Sequence, residues 1–251
     1  MAGCRLRYLE AGSGPALVHL HGAGGMSWDE AKEMLSERFR VIAPELPGFG
    51  SSTVSDAVQS LPELAGVVAE LIRRVAAGRA HVLGSSFGGR LATWLALLEP
   101  TVVDRLVLES PASFRALSAN CILGWRPPGA AATDATPASA NVENPEVIAR
   151  LTRRNPPEEE LLRRLAEIET PTLALFGTED TRVAPESGRL YAERMPDCRF
   201  MLVYGAGHII RRERPAAFAR LVGDFLERGP AFVVNRTPSI QPSAISPQEQ
   251  R

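Results

Sequence analysis

The fold class this sequence predicts is an α/β protein with a mainly parallel, doubly wound sheet. Three observations lead there. Short apolar runs alternate along the chain with stretches of helical periodicity. The runs are continuous, as in "PALVHLHG", "RVIAP" and "PTLALFG", and continuous runs mark strands covered on both faces. Glycine- and proline-rich loops close several of them, where a parallel sheet passes its chain to a helix.

Taken in order, "RLRYLE" (5 to 10) alternates and reads as a strand. "PALVHLHG" (15 to 22) is a buried strand ending in a Gly-rich turn, and "FRVIAPELPGFGSS" (39 to 52) is a strand with a Pro/Gly loop. Residues 61 to 77 place Leu64, Val67, Val68, Leu71, Ile72 and Val75 on one helical face. "RAHVLG" is a strand, and residues 87 to 98 form a helix that stops before Pro100. "VDRLVLES" and "PTLALFG" are further buried strands. Helical stretches follow near 185 to 194 and 214 to 227, and "CRFMLVYGAGH" (198 to 208) is the last strand with its loop.

Two segments break this rhythm. Residues 112 to 170 separate two core strands by more than a usual connection. The middle, "RPPGAAATDATPASANVENP", is expected to be mobile. The end, "PPEEELLRRLAEIE", is expected to be a helix opened by Pro156 and Pro157. Glu159–Arg163 and Glu160–Arg164 would pair on its solvated face. The end of the chain, "NRTPSIQPSAISPQEQR" (235 to 251), is polar, rich in Pro, Ser and Gln, and expected to be disordered. The expected organisation is thus a core of residues 1–111 and 171–229, an insertion at 112–170 and a tail at 230–251.

The chain has 251 residues, is 45% hydrophobic and carries a formal net charge of -1. That balance argues against an electrostatic nucleic-acid or membrane binder. No apolar run approaches the roughly 20 residues of a membrane span. "MAGCRLRYLEAG" lacks the apolar core of a signal peptide. Cys4, Cys121 and Cys198 fit neither a disulfide framework nor a zinc spacing. A reducing cytoplasm is the expected location, and no metal is expected.

The chemistry centres on "HVLGSSFGGRLATWLALL" (81 to 98), where Gly84-Ser85-Ser86-Phe87-Gly88 matches G-x-S-x-G. Five residues are weak evidence alone. Here the match follows a strand and opens a helix, as a nucleophile elbow requires. Small residues at 84 and 88 let a sharp turn pack, and the helix N-terminus offers free N–H groups, including that of Phe87, to a developing oxyanion. The competing reading is a tight turn with a capping serine.

A serine hydroxyl needs a base. Of four histidines, His19 and His81 lie in strands and read as structural, and His21 shapes the "HGAGG" turn. His208 ends "VYGAGH", at the sheet edge where open α/β folds keep their sites. The base in turn needs an acid to orient it. "LALFGTEDTRVAP" offers Asp180, with Glu179 as an alternative and Glu109, after "RLVL", as a second. The order Ser86, Asp180, His208 separates this chain from other serine-hydrolase arrangements.

Together, "LVHLHGAGGMSW", "RVIAPELPGFGSS", "HVLGSSFGGRLA", "LALFGTEDTRVAP" and "GAGH" resemble the α/β-hydrolase family, in its small-molecule branch of esterases, C–C bond hydrolases and cofactor-free haloperoxidase-like enzymes. The resemblance covers most of residues 5 to 228 apart from the insertion. It implies a sheet of the α/β-hydrolase type and a second oxyanion N–H from Ala23, or from neighbouring Gly24. It also implies that 112 to 170 form a cap. Phe114, Leu123 and Trp125 then become candidates to line a substrate pocket, or to pack the cap on the core. Glu45 stands where many relatives have Asp, a departure expected to alter loop hydrogen bonding. Relatives with an aspartate nucleophile, the haloalkane dehalogenases and related epoxide hydrolases, are disfavoured by the serine.

The expected activity is hydrolysis of a small, uncharged or weakly charged ester or related acyl compound, without a cofactor. A C–C hydrolase of a vinylogous diketone is the alternative within enzymes. A ligand-binding module with little turnover is the alternative outside them.

Overall fold

The computed structural model describes residues 3–114 and 142–232. Its centre is a seven-stranded sheet in the order β1-β3-β2-β4-β5-β6-β7. The strands are β1 (Tyr8–Ala11), β2 (Ala16–Leu20), β3 (Arg40–Pro44), β4 (Ala80–Ser85), β5 (Val103–Glu109), β6 (Thr172–Gly177) and β7 (Cys198–Val203). Only β1 pairs antiparallel, with Tyr8 opposite Pro44. The doubly wound α/β class expected from the sequence is the one observed.

Side chains alternate between two apolar layers, as the strand period requires. Val18, Val82 and Leu106 share one register row and face one layer. Leu83, Val107 and Leu173 share the next and face the other. The first layer is closed by α2 (Leu61–Val75) and α3 (Phe87–Leu98), the second by α1 (Glu30–Ser36) and α8 (Pro215–Arg228). Between them in sequence lie α4 (Pro145–Arg153), α5 (Glu158–Arg164), α6 (Ser187–Arg194) and the short α7 (Ile210–Glu213).

Local chemistry explains the helix starts. Ser60 accepts from the Glu63 amide at 3.3 Å, and Glu63 accepts in return from the Gln59 amide at 2.6 Å, so α2 opens with reciprocal caps. Asn144 accepts from the Val147 amide and Pro145 supplies the first turn of α4. That helix was not expected. Its cap lies at the end of the Ala/Pro/Thr-rich stretch whose composition argued for mobility.

The expected helix at 156 to 169 is real but shorter, with α5 followed by a 3-10 turn over Leu165–Glu167. Leu161, Leu165 and Ile168 are buried. The expected Glu160–Arg164 pair gives way to Arg164–Glu167 at 2.9 Å, because the tighter 3-10 turn brings Glu167 back under the guanidinium.

Strand order dictates where a site can form. From β2 the chain crosses to β3 on one side. From β4 it crosses through α3 to β5 on the other. The carboxyl ends of neighbouring β2 and β4 therefore open onto a crevice, the topological switch point of an open α/β sheet. The turn after β2 and Ser86 after β4 both lie there.

Candidate active site

Ser86 connects β4 to α3 with φ 52° and ψ -112°, a conformation that costs a non-glycine residue about 1–3 kcal/mol. It makes no side-chain cap to α3, so the capping alternative does not describe it. Two glycines make the turn possible. A Cβ on Gly88 would stand 2.1 Å from the Leu20 carbonyl oxygen, and one on Gly84 would stand 2.5 Å from that of Gly88. The elbow is pressed against the end of β2, and no larger residue fits between them.

His208, in the loop after β7, reaches Ser86 Oγ with Nε2 at 2.9 Å. Its Nδ1 stands 2.9 Å from Asp180 Oδ2. Asp180 follows β6 and is 3% exposed. Its other oxygen accepts from the Arg182 amide at 2.8 Å and the Val183 amide at 3.0 Å. Burial by itself would raise the Asp180 carboxyl. The hydrogen bond and charge of His208, with the two amides, outweigh it and hold the group below its ordinary value. A carboxylate facing Nδ1 keeps the proton there and leaves the Nε2 lone pair toward the serine hydroxyl.

Neither alternative acid meets His208. Glu179 is exposed, and its amide donates to the Ala206 carbonyl at 2.8 Å. Glu109 is turned into the interior, where it accepts from Ser85 Oγ at 2.5 Å and from the Arg211 guanidinium at 2.7 Å.

Ala23 and Gly24 line the same cleft as Ser86. Ala23 is held by its carbonyl, which accepts from the Glu143 amide at 3.0 Å. Phe87 is the first residue of α3, a position where an amide has no intrahelical acceptor. His21 shapes this loop, as expected: Nδ1 donates to the Gly22 carbonyl at 2.7 Å and Nε2 accepts from the Leu46 amide at 3.0 Å. Burial pushes its pKa down to about 4, so it is neutral at pH 7. The Glu45 carboxylate accepts from the Ser51 amide at 2.7 Å and from Arg7 at 3.0 Å, clamping the Pro/Gly loop.

The pocket candidates fare differently. Phe114 is fully buried, packed on Tyr191 at a centroid distance of 5.3 Å, and belongs to the core instead of the cleft. Its chain is drawn inward directly after β5, so the ring faces α6 and not the crevice. Leu123 and Trp125 lie outside the described residues. The cleft itself is about 440 Å³ and is bordered by polar groups that the sequence did not single out, among them Arg182, Arg211, Arg212 and Glu143.

Beneath the site runs a buried polar chain that also escaped the sequence. His19 Nε2 meets Ser85 Oγ at 2.8 Å, and Ser85 donates to Glu109. Glu109 also accepts from the Arg211 amide at 2.9 Å. The Arg211 guanidinium continues to Asp29 at 3.0 Å, and Asp29 to Lys32 at 2.7 Å. Two carboxylates balance two cations, and the members come from β2, β4, β5, α7 and α1 with its capping Asp29. Burial lowers the Lys32 ammonium to about 8 despite Asp29. Burial, with the nearby cations, keeps His19 neutral.

An open α/β sheet carrying a strained serine at its switch point, with a histidine and a buried carboxylate in line, defines a class of enzyme-like folds. Known proteins agree with it. The model of the alpha/beta hydrolase family matches residues 17–221, and the chain belongs to that family. A 2-hydroxy-6-oxononadienedioate/2-hydroxy-6-oxononatrienedioate hydrolase of Burkholderia vietnamiensis is 28% identical over 263 residues, 89% of this chain and 91% of that protein. A pimeloyl-[acyl-carrier protein] methyl ester esterase of Nitrosomonas europaea is 43% identical over 99 residues, 39% of this chain and 37% of that protein. The chain spans only 32% of the length of several other curated relatives that it matches. Among solved structures, a carboxylesterase from Bacillus subtilis superposes with a TM-score of 0.70 at 23% identity, covering 88% of this chain and 87% of that one, a likeness of fold.

Proposed function

We propose that the protein is a serine hydrolase that cleaves a small carboxylic ester, or a related acyl bond, through Ser86, His208 and Asp180. The observation that carries this reading is the continuous hydrogen-bond chain from Ser86 Oγ through both ring nitrogens of His208 to Asp180, each step 2.9 Å. His208 Nε2 takes the Ser86 proton as Oγ attacks the carbonyl carbon. The amides of Ala23 and Phe87 hold the oxyanion. The same nitrogen then returns the proton to the departing alcohol. Water, deprotonated by His208, hydrolyses the acyl-enzyme, while Asp180 keeps the imidazole oriented and stabilises its charged form. No cofactor enters this cycle.

The test is hydrolysis of short-chain p-nitrophenyl esters by the native protein and by Ser86→Ala. The variant should lose about ten-thousand-fold or more in kcat. Native turnover that persists in Ser86→Ala would overturn the reading.

One observation favours a second reading with the same side chains. A relative that matches over 91% of its length is named for a dienedioate and not for an ester. A vinylogous diketone would then be cleaved at a C–C bond. Loss of the dienol absorbance on mixing with such a substrate separates the two.

A further inference from the structure

Three arginines border the cleft. Arg211, at the cleft floor, is neutralised by Glu109 and Asp29. Arg182 and Arg212 border the same cleft as Ser86 and His208, are exposed, and meet no carboxylate among the described residues. In the sequence between 115 and 141, Asp134 is the sole acid.

Their placement is set by the site. Arg182 lies two residues beyond Asp180, and its amide donates to Asp180 Oδ1 at 2.8 Å. Arg212 lies four residues beyond His208, and its guanidinium donates to Ser27 Oγ at 2.8 Å. The acid and base loops therefore present two guanidinium groups to the cleft, while Glu213 is held on the Gly207 and Ile209 amides and does not line it. Glu143 also borders the cleft: its amide donates to the Ala23 carbonyl at 3.0 Å and its Oε1 accepts from the Gly50 amide at 2.8 Å. A neutral substrate would gain nothing from this polarity. An anionic one would be drawn to the two guanidinium groups and kept from Glu143. Guanidinium forks match a carboxylate in geometry as well as charge.

We propose that the substrate carries a carboxylate, in its acyl or its alcohol half, bound by Arg182 and Arg212. This rests on the serine-hydrolase reading and replaces the expectation of an uncharged or weakly charged ester with an anionic one.

The experiment compares kcat/KM for matched pairs. Mono-p-nitrophenyl glutarate against p-nitrophenyl hexanoate places the charge in the acyl half. 4-Acetoxybenzoate against its methyl ester places it in the alcohol half. In at least one pair the anionic ester should be preferred about 10-fold, mainly through KM, and the preference should shrink as salt rises. Arg182→Gln and Arg212→Gln should each cut the anionic-to-neutral ratio about threefold or more, Lys at either position should restore part of it, and Glu143→Gln should raise it. Equal use of both members of each pair, or a ratio indifferent to both arginine variants, overturns the proposal. If no ester is turned over, the serine-esterase reading fails separately. Calorimetric titration with glutarate then decides: binding that weakens in the R182Q/R212Q double variant sustains the anion site, and no binding overturns it.

Discussion

His21 shows how much one buried side chain can depend on its protonation state. Its ring accepts from the Leu46 amide, which demands a lone pair, and burial holds its pKa at about 4. An unfolded chain protonates the same imidazole nearer 6.5. Between those values the unfolded state binds more protons, so stability falls as pH drops through this window. Roughly 2 kcal/mol should be lost from this residue between pH 7 and pH 5, and the buried, neutral His19 adds in the same direction. Urea unfolding at the two pH values should show a shallower fall in His21→Gln than in the native protein. An equal fall would mean that His21 is not held neutral. Asp180 has the opposite chemistry and the same sign: its depressed carboxyl stabilises the fold above the ordinary carboxylate range, and that contribution is lost on further acidification. Under the proposed mechanism Asp180→Asn keeps the shape and disturbs the imidazole tautomer, so kcat should fall about a thousand-fold or more with KM little changed. Steady-state kinetics on a p-nitrophenyl ester check this. Ser86 and His208 were legible because each sits in a local pattern, an elbow or a strand-end loop. Asp180, Glu179 and Glu109 were not separable, since all three are acids at strand ends and only the direction of the side chain distinguishes them.

At the scale of elements, the site is a joint between segments. The chain from Ser85 through Glu109 and Arg211 to Asp29 joins residues as far as 182 positions apart in sequence. No motif announces such a contact, and a Glu followed by Ser at the end of a strand reads as an ordinary turn. Glu109→Gln removes one of the two charges that compensate the buried Arg211. It should destabilise the protein by about 3 kcal/mol, measured by urea denaturation, and the additional change Arg211→Met should recover part of the loss. A Glu109→Gln variant as stable as the native protein would show that Asp29 alone suffices. Gly88→Ala tests the joint between the elbow and β2. The added methyl meets backbone oxygens of Leu20 and His21 that cannot move aside singly, so the melting temperature should fall by several degrees or more. Helix α4 escaped the sequence for a different reason. Its capping asparagine and first-turn proline are sound start signals, but they follow a stretch of low-complexity composition that outweighed them.

Across the whole molecule, strand order converts a one-dimensional pattern into a crevice. The alternation of strand and helix was readable from periodicity alone, and with it the parallel sheet. Which strands are neighbours was not, because hydrophobic runs carry no record of their partners. Placing β2 beside β4 puts the Gly-rich turn after the first of these next to the serine after the second. The pair of guanidinium groups at the cleft is likewise a property of the assembled molecule, built by loops after β6 and β7 from arginines that look like surface charge in the sequence.

The central claim is that Ser86 is a nucleophile activated by His208, whichever bond the substrate presents. Labelling with a fluorophosphonate, followed by peptide mapping by mass spectrometry, tests it without knowledge of the substrate. The account predicts a single phosphonyl adduct on Ser86, formed slowly or not at all in His208→Ala. An unlabelled Ser86 in the folded native protein, or labelling that proceeds equally without His208, would contradict it.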